Sequence, residues 1–117
     1  MKYTEEQIEA MSGTELDTLA EELVFGAKPD PGMKGWVKIG ELSTYPNSYS
    51  NNIAAAMFLL ETMISKGAEV NIGYFEEWDC SIDYPIGCNW RMTGKTAAEA
   101  VTRTCCLAAA MTGGHKG

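Results

Sequence analysis

A chain of 117 residues holds one hydrophobic core of ordinary size, and two separate cores would each be marginal. Apolar residues at 45% and charged residues at 21% exclude the composition of a disordered segment and predict a single domain over residues 1–117. The net charge of −7 argues against a phosphate-binding surface, because nucleic-acid binders draw most of their affinity from a basic face.

Two helix starts open the chain. Thr4-Glu5-Glu6-Gln7 and Ser12-Gly13-Thr14-Glu15 both have the capping-box spacing. Leu16, Leu19 and Leu23 then recur at helical spacing, and Gly26 supplies a stop. A short helix over 4–11 and a longer one over 13–25 are predicted. Residues 27–49 follow, with three of the four prolines, and read as a long ordered loop with one short strand at 36–39. A loop of this length in a small domain is either functional or mobile. Its aromatics Trp36, Tyr45 and Tyr49 either clamp it to the body or form a binding surface, since aromatics dominate interface hot spots.

Ser50 is placed to cap the next helix. Ile53, Met57, Leu60 and Ile64 form a stripe at i, i+4, i+7 and i+11 that is expected to face the core, widened by Ala56 and Met63, and Gly67 ends the helix. Period-2 alternation follows three times. Val70, Ile72 and Tyr74 share a face, as do Trp78, Cys80, Ile82 and Tyr84, and then Cys88, Trp90 and Met92. The opposite faces are polar, so the sheet buries one side. Keeping apolar residues opposite one another selects a register. Tyr74 pairs with Trp78, Ile72 with Cys80 and Val70 with Ile82 around a Phe75-Glu76-Glu77 loop. Ile82 pairs with Trp90 and Cys80 with Met92 around a Pro85-Ile86-Gly87 turn. Trp90 is expected to be buried mid-sheet. Thr96-Ala97-Ala98-Glu99 starts the last helix, whose stripe is Ala97, Val101, Cys105 and Ala108; Gly113-Gly114 ends it, and 113–117 reads as a frayed tail. The fold class is α+β, a three-stranded antiparallel sheet packed by helices, in the order helix-loop-helix-strand-strand-strand-helix.

Few residues suggest chemistry. The sole histidine, His115, lies in the Gly-rich tail, where a base would be badly positioned. Cys80, Cys88, Cys105 and Cys106 make no C-x-x-C pair and read as reduced thiols of a cytoplasmic protein. No metal site and no cofactor is expected. Glu76, Glu77, Asp79 and Asp83 cluster near one sheet edge, but strand alternation already accounts for Asp79 and Asp83. Gly94-Lys95-Thr96 lacks the upstream glycine of a phosphate loop. No apolar run is long enough to cross a bilayer. The helix-strand-strand-strand-helix block shares the topology of a double-stranded-RNA-binding domain, yet the start of its last helix offers one lysine, Lys95, and one acid, Glu99. The candidate binding residues are Trp36, Tyr45 and Tyr49, with Arg91 on the outer sheet face as an anionic contact.

Three blocks in order, MSGTELDTLAEELVFG from Met11 to Gly26, YSNNIAAAM from Tyr49 to Met57 and TAAEAVTRTCCLAA from Thr96 to Ala109, resemble the phage ABA sandwich domain family, small proteins of bacteriophages and prophages. The resemblance implies helices on both faces of the sheet. The family carries no established activity, so it implies no functional residues. Together with the absence of catalytic groups, it implies a non-enzymatic phage accessory protein in the host cytoplasm. Such a protein would bind a host or phage protein or a small host metabolite or signal, with antagonism of host defence as one version. A nucleic-acid-binding module is the alternative.

Overall fold

The helices begin where the sequence supplies caps. In the computed structural model, which describes residues 3–33, 35–84 and 87–112, Thr4 Oγ1 accepts from the Gln7 amide at 3.1 Å and Gln7 Oε1 accepts from the Thr4 amide at 2.9 Å. That reciprocal pair starts α1 (Glu5–Ala10). Helix α2 (Gly13–Phe25) starts at Ser12 without a side-chain cap bond and ends at Gly26, whose φ of 78° is the left-handed stop. Helix α3 (Ile53–Ser65) is capped by Asn52, whose Oδ1 accepts from the Ala54 and Ala55 amides. Ser50 was the expected cap. Instead its amide donates to Asp17 and its hydroxyl to the Gly13 carbonyl, so it ties the α3 entry to α2.

Strands β1 (Lys28–Pro29), β2 (Val37–Ile39) and β3 (Leu42–Thr44) form a small antiparallel sheet in that order. The segment expected to carry one strand carries three, because strands of two and three residues are too short to show a period. Gly40, with φ 65°, is the first residue of the two-residue turn between β2 and β3, the glycine position of a hairpin turn.

The large sheet is β4 (Glu69–Phe75), β5 (Glu77–Asp83) and β6 (Asn89–Gly94), with β5 in the middle. Its register is the one that apolar pairing selects: Tyr74 opposite Trp78, Ile72 opposite Cys80, Ile82 opposite Trp90 and Cys80 opposite Met92. Phe75 also pairs with Glu77, leaving Glu76 alone at the turn with φ 68°. At the other hairpin the Tyr84 amide donates to the Cys88 carbonyl at 2.9 Å. Pro85 and Ile86 of that turn, His115 and the whole 113–117 tail lie outside the described residues. Trp90 takes its expected face and partner but is only half-buried, packed edge-on against Tyr84, because β6 is an edge strand.

Helix α4 (Ala97–Met111), capped by Thr96, is the centre of the domain. It packs on β5 and β6, on α3, and on α1 and α2. Its small residues are buried around nearly the whole circumference, from Ala100 to Thr102 and from Thr104 to Ala109. Gly94 permits the approach: a Cβ there would stand 2.6 Å from the Ala100 nitrogen. Arg103 ties the layers, donating to the Thr93 carbonyl at 2.9 Å and to the Met11 carbonyl at 3.1 Å.

Helix α3 buries Ala56, Leu59, Leu60 and Met63, while Ile53, Met57 and Ile64 of the expected stripe are exposed. The sequence of α3 is apolar almost all round, so several stripes compete and the contact with α4 decides. The helices also do not flank the large sheet on both faces. Helices α1 and α2 pack on α4, and the outer-face residues Asn71 and Arg91 remain exposed.

Candidate functional site: a groove beside the second helix

The segment 27–49 folds back along α2 and leaves a groove. On α2, residues at i, i+1, i+4, i+5 and i+8 share one side, and Thr14, Glu15, Thr18, Leu19 and Glu22 form one wall in that way. Tyr3 and Met11 extend this wall, while Pro29 and Gly35 form the opposite side. The groove holds about 490 Å³. That volume falls within the range of small-molecule sites.

The loop wall is held by its own hydrogen bonds. Asp30 accepts from the Gly32 amide at 2.8 Å and from the Ser43 hydroxyl, and its own amide donates to the Trp36 carbonyl at 2.9 Å. The Ser43 bond first, and then the Gly32 amide, hold the Asp30 carboxyl below the usual carboxylate range. Gly35, with φ 85°, carries the chain past the Thr14 methyl group. Trp36 and Tyr45 meet edge-on with ring centroids 5.9 Å apart, and the Tyr45 hydroxyl lies 3.1 Å from Thr14 Oγ1. The structure therefore brings Trp36 and Tyr45 together beside the groove, Tyr45 half-exposed at 52%.

Tyr49 is placed differently. It is 1% exposed, its hydroxyl donates to Glu21 at 2.7 Å, and its ring lies against Phe25. It clamps the end of the segment and offers no surface to a partner, which corrects its place among the candidate binding residues. Arg91 is exposed, but it pairs with Asp79 at 3.0 Å on the outer face of the large sheet, whereas the groove flanks α2 beyond the helices. Two of the four carboxylates near the sheet edge are similarly occupied: Asp79 takes Arg91, and Asp83 accepts from Asn89. Among the described residues no group of three or more His, Cys, Asp or Glu side chains is arranged to hold a metal ion.

The charged lining of the groove is acidic, Glu15 and Glu22. Tyr3 donates to Glu22 at 2.7 Å, and its phenol is pushed up to about 12 by burial first and by this bond and charge second. A second hollow, of about 420 Å³, lies on the other side of β1 and shares Pro29 with the first. It is lined by Lys28 and Lys38, which stand directly opposite each other in the β1–β2 register. Like charges set opposite repel unless a counter-charge is near, and the Asp30 carboxylate supplies one to Lys38. This lysine pair is the feature sequence reasoning missed, since it depends on a two-residue strand. It puts positive charge on the 27–49 segment itself, whereas Arg91 does not.

The family model of the phage ABA sandwich domain matches residues 17–110, from α2 through the small sheet to α4. The chain belongs to this family. A 2.0 Å crystal structure of a phage protein from Bacillus cereus ATCC 14579 shares the fold, with a TM-score of 0.70 at 17% identity over 83% of this chain and 91% of that one. Among curated proteins none matches the chain. Among the described residues no helix is long and apolar enough to cross a membrane.

Proposed function

We propose that this phage ABA sandwich protein is a non-enzymatic accessory factor that acts by binding in the host cytoplasm, with the groove between α2 and the 27–45 segment as its contact. The observation that carries the reading is the aromatic corner of Trp36 and Tyr45, fixed to α2 through Thr14 beside a preformed groove. A preformed wall lowers the ordering cost of binding, and a large aromatic at the rim supplies contact area. The ridge at Pro29 separates an acidic groove from a hollow with two lysines. A partner that straddles it presents a cationic or hydrogen-donating group to Glu15 and an anionic group to Lys28 and Lys38. Both a protein loop and a small host metabolite or signal have such chemistry. The phage setting makes a component of host defence a natural target.

The experiment is a pull-down from infected host cells, with mass spectrometry of proteins and of co-purified small molecules. The reading predicts a partner whose retention falls when Trp36 or Tyr45 is replaced by alanine. Substrate turnover that depends on Asp79 or Asp83 would overturn the binding-only role. The nucleic-acid reading rests on the order α3-β4-β5-β6-α4 with both helices on one sheet face. It requires affinity for duplex RNA or single-stranded DNA that falls steeply with salt and is lost in Lys95→Glu.

A further inference from the structure

Strand β4 is an outer strand of the large sheet, and its seven residues EVNIGYF pair with β5 without a bulge. Exposed edges of soluble proteins are normally blunted by lysine, proline, a bulge or a cover. Residues Val70 to Phe75 contain no charge and no proline. The opposite edge is handled differently: β6 carries Arg91, and its Thr93 carbonyl accepts from Arg103. The large side chains at β4 are also open to solvent, with Ile72 40% exposed, Tyr74 63% and Phe75 83%. Above this edge α3 leaves Ile53, Met57 and Ile64 uncovered, on the helix that lies against α4 and leads directly into β4.

We infer that two copies of this chain associate about a two-fold axis, pairing β4 with β4 to make one continuous six-stranded sheet. Three features favour a second copy over a different partner. The first is sequence symmetry. An antiparallel pairing centred on Ile72 sets Val70 opposite Tyr74, Asn71 opposite Gly73 and Glu69 opposite Phe75. The single acid of the strand thus never meets its own copy, and the apolar residues of one face meet one another. The second is charge. The same register carries Lys66-Gly67 of one copy toward the acidic turn Glu76-Glu77 of the other, twice by symmetry; Lys66, Glu76 and Glu77 are all exposed. The third is area. At about 150–250 Å² for a whole aromatic side chain, the exposed fractions of these six residues amount to on the order of 600 Å² per copy. The paired strand backbones bring this near the roughly 800 Å² per partner of a standard stable interface.

The test uses the full chain. Sedimentation equilibrium at micromolar concentration is expected to give twice the chain mass, and amide exchange along β4 is expected to quicken on dilution. Tyr74→Lys alters an exposed position, keeps the fold by circular dichroism and weakens association by about tenfold or more. Lys66→Glu also weakens it, and adding Glu76→Lys and Glu77→Lys restores it. A monomer at high micromolar concentration would overturn the inference. So would a dimer indifferent to Tyr74→Lys, or β4 exchange that does not change with concentration. Should Tyr74→Lys fail to fold, the exchange experiment and the charge swap decide alone.

Discussion

The Tyr49 hydroxyl donates to the Glu21 carboxylate at 2.7 Å in a nearly solvent-free contact between the end of the 27–49 segment and α2. Burial first, and the Glu21 bond and charge with it, push the Tyr49 phenol up, so it remains a donor at neutral pH. Tyr49→Phe strands a buried carboxylate and is expected to cost about 1–3 kcal/mol in urea unfolding. Tyr49→Ala adds a cavity and should cost about 3–5 kcal/mol. A neutral Tyr49→Phe variant would show that water takes over the bond.

One turn earlier on α2, Asp17 accepts from the Ser50 amide at 2.8 Å, but its burial outweighs this bond and raises its pKa. A folded pKa above the unfolded value favours folding in acid and turns against it as pH rises through the raised pKa. Asp17→Asn keeps an acceptor oxygen for Ser50, so it is expected to raise the urea midpoint at neutral pH, with the gain vanishing below the unfolded carboxylate pKa. Asp30 has the opposite sign. Its lowered pKa gives stability that is full above the unfolded value and is lost as pH falls through the lowered one. Asp30→Asn is therefore expected to lower the neutral midpoint, with the loss vanishing in acid. Paired midpoints at neutral and acid pH check both signs.

Gly94 and Gly73 separate a packing glycine from a tolerated one. A Cβ at Gly94 meets the Ala100 backbone nitrogen at 2.6 Å, so Gly94→Ala must push α4 off the sheet, at about 1–3 kcal/mol. At Gly73 the same atom meets the Asp79 carboxylate at 3.5 Å, ordinary contact. Gly73→Ala is expected to stay within about 1 kcal/mol of the parent. Equal costs for the two would contradict the close α4–β6 approach.

The thiols report burial directly. Cys80, Cys105 and Cys106 are free and buried, and Cys88 is partly exposed. Burial pushes Cys80 up to about 11 and raises Cys105 and Cys106 as well. Under native conditions at neutral pH a thiol reagent is expected to modify Cys88 alone, and the other three only on unfolding. Mass spectrometry of the labelled chain reads the number.

The large sheet was legible in the sequence because alternation and the matching of apolar partners leave a single register, and every selected pair from Val70–Ile82 to Cys80–Met92 forms. The start of α4 was legible for the same kind of reason, a local hydrogen bond from Glu99 to Thr96. The buried face of α3 was not, since IAAAMFLLETMIS offers apolar residues on competing sides. Trp90 shows another limit: alternation gives the face of a residue, not whether its strand lies at an edge. Part of the site was legible. Trp36 and Tyr45 stand out as aromatics in a proline-rich segment, and they come together beside the groove. Tyr49 stood out equally, yet its partner Glu21 lies 28 residues away, a contact no local pattern reports. The Gly40-Glu41 pair between Val37-Lys38-Ile39 and Leu42-Ser43-Thr44 is the available signal for the small sheet and for the Lys28–Lys38 pairing it creates.

Calorimetric titration with the partner recovered from infected cells probes the proposed contact on the Trp36–Tyr45 side of the groove. Tyr45→Ala removes the edge-on contact to Trp36 and the link to Thr14, while Tyr45→Phe removes only the link. Arg91→Ala, on the other side of the molecule, serves as the control. Trp36→Ala and Tyr45→Ala are expected to remain folded by circular dichroism and to lose about tenfold or more in affinity, with Tyr45→Phe intermediate and Arg91→Ala unchanged. Full affinity in folded Trp36→Ala and Tyr45→Ala, or loss on Arg91→Ala alone, would contradict the proposed contact.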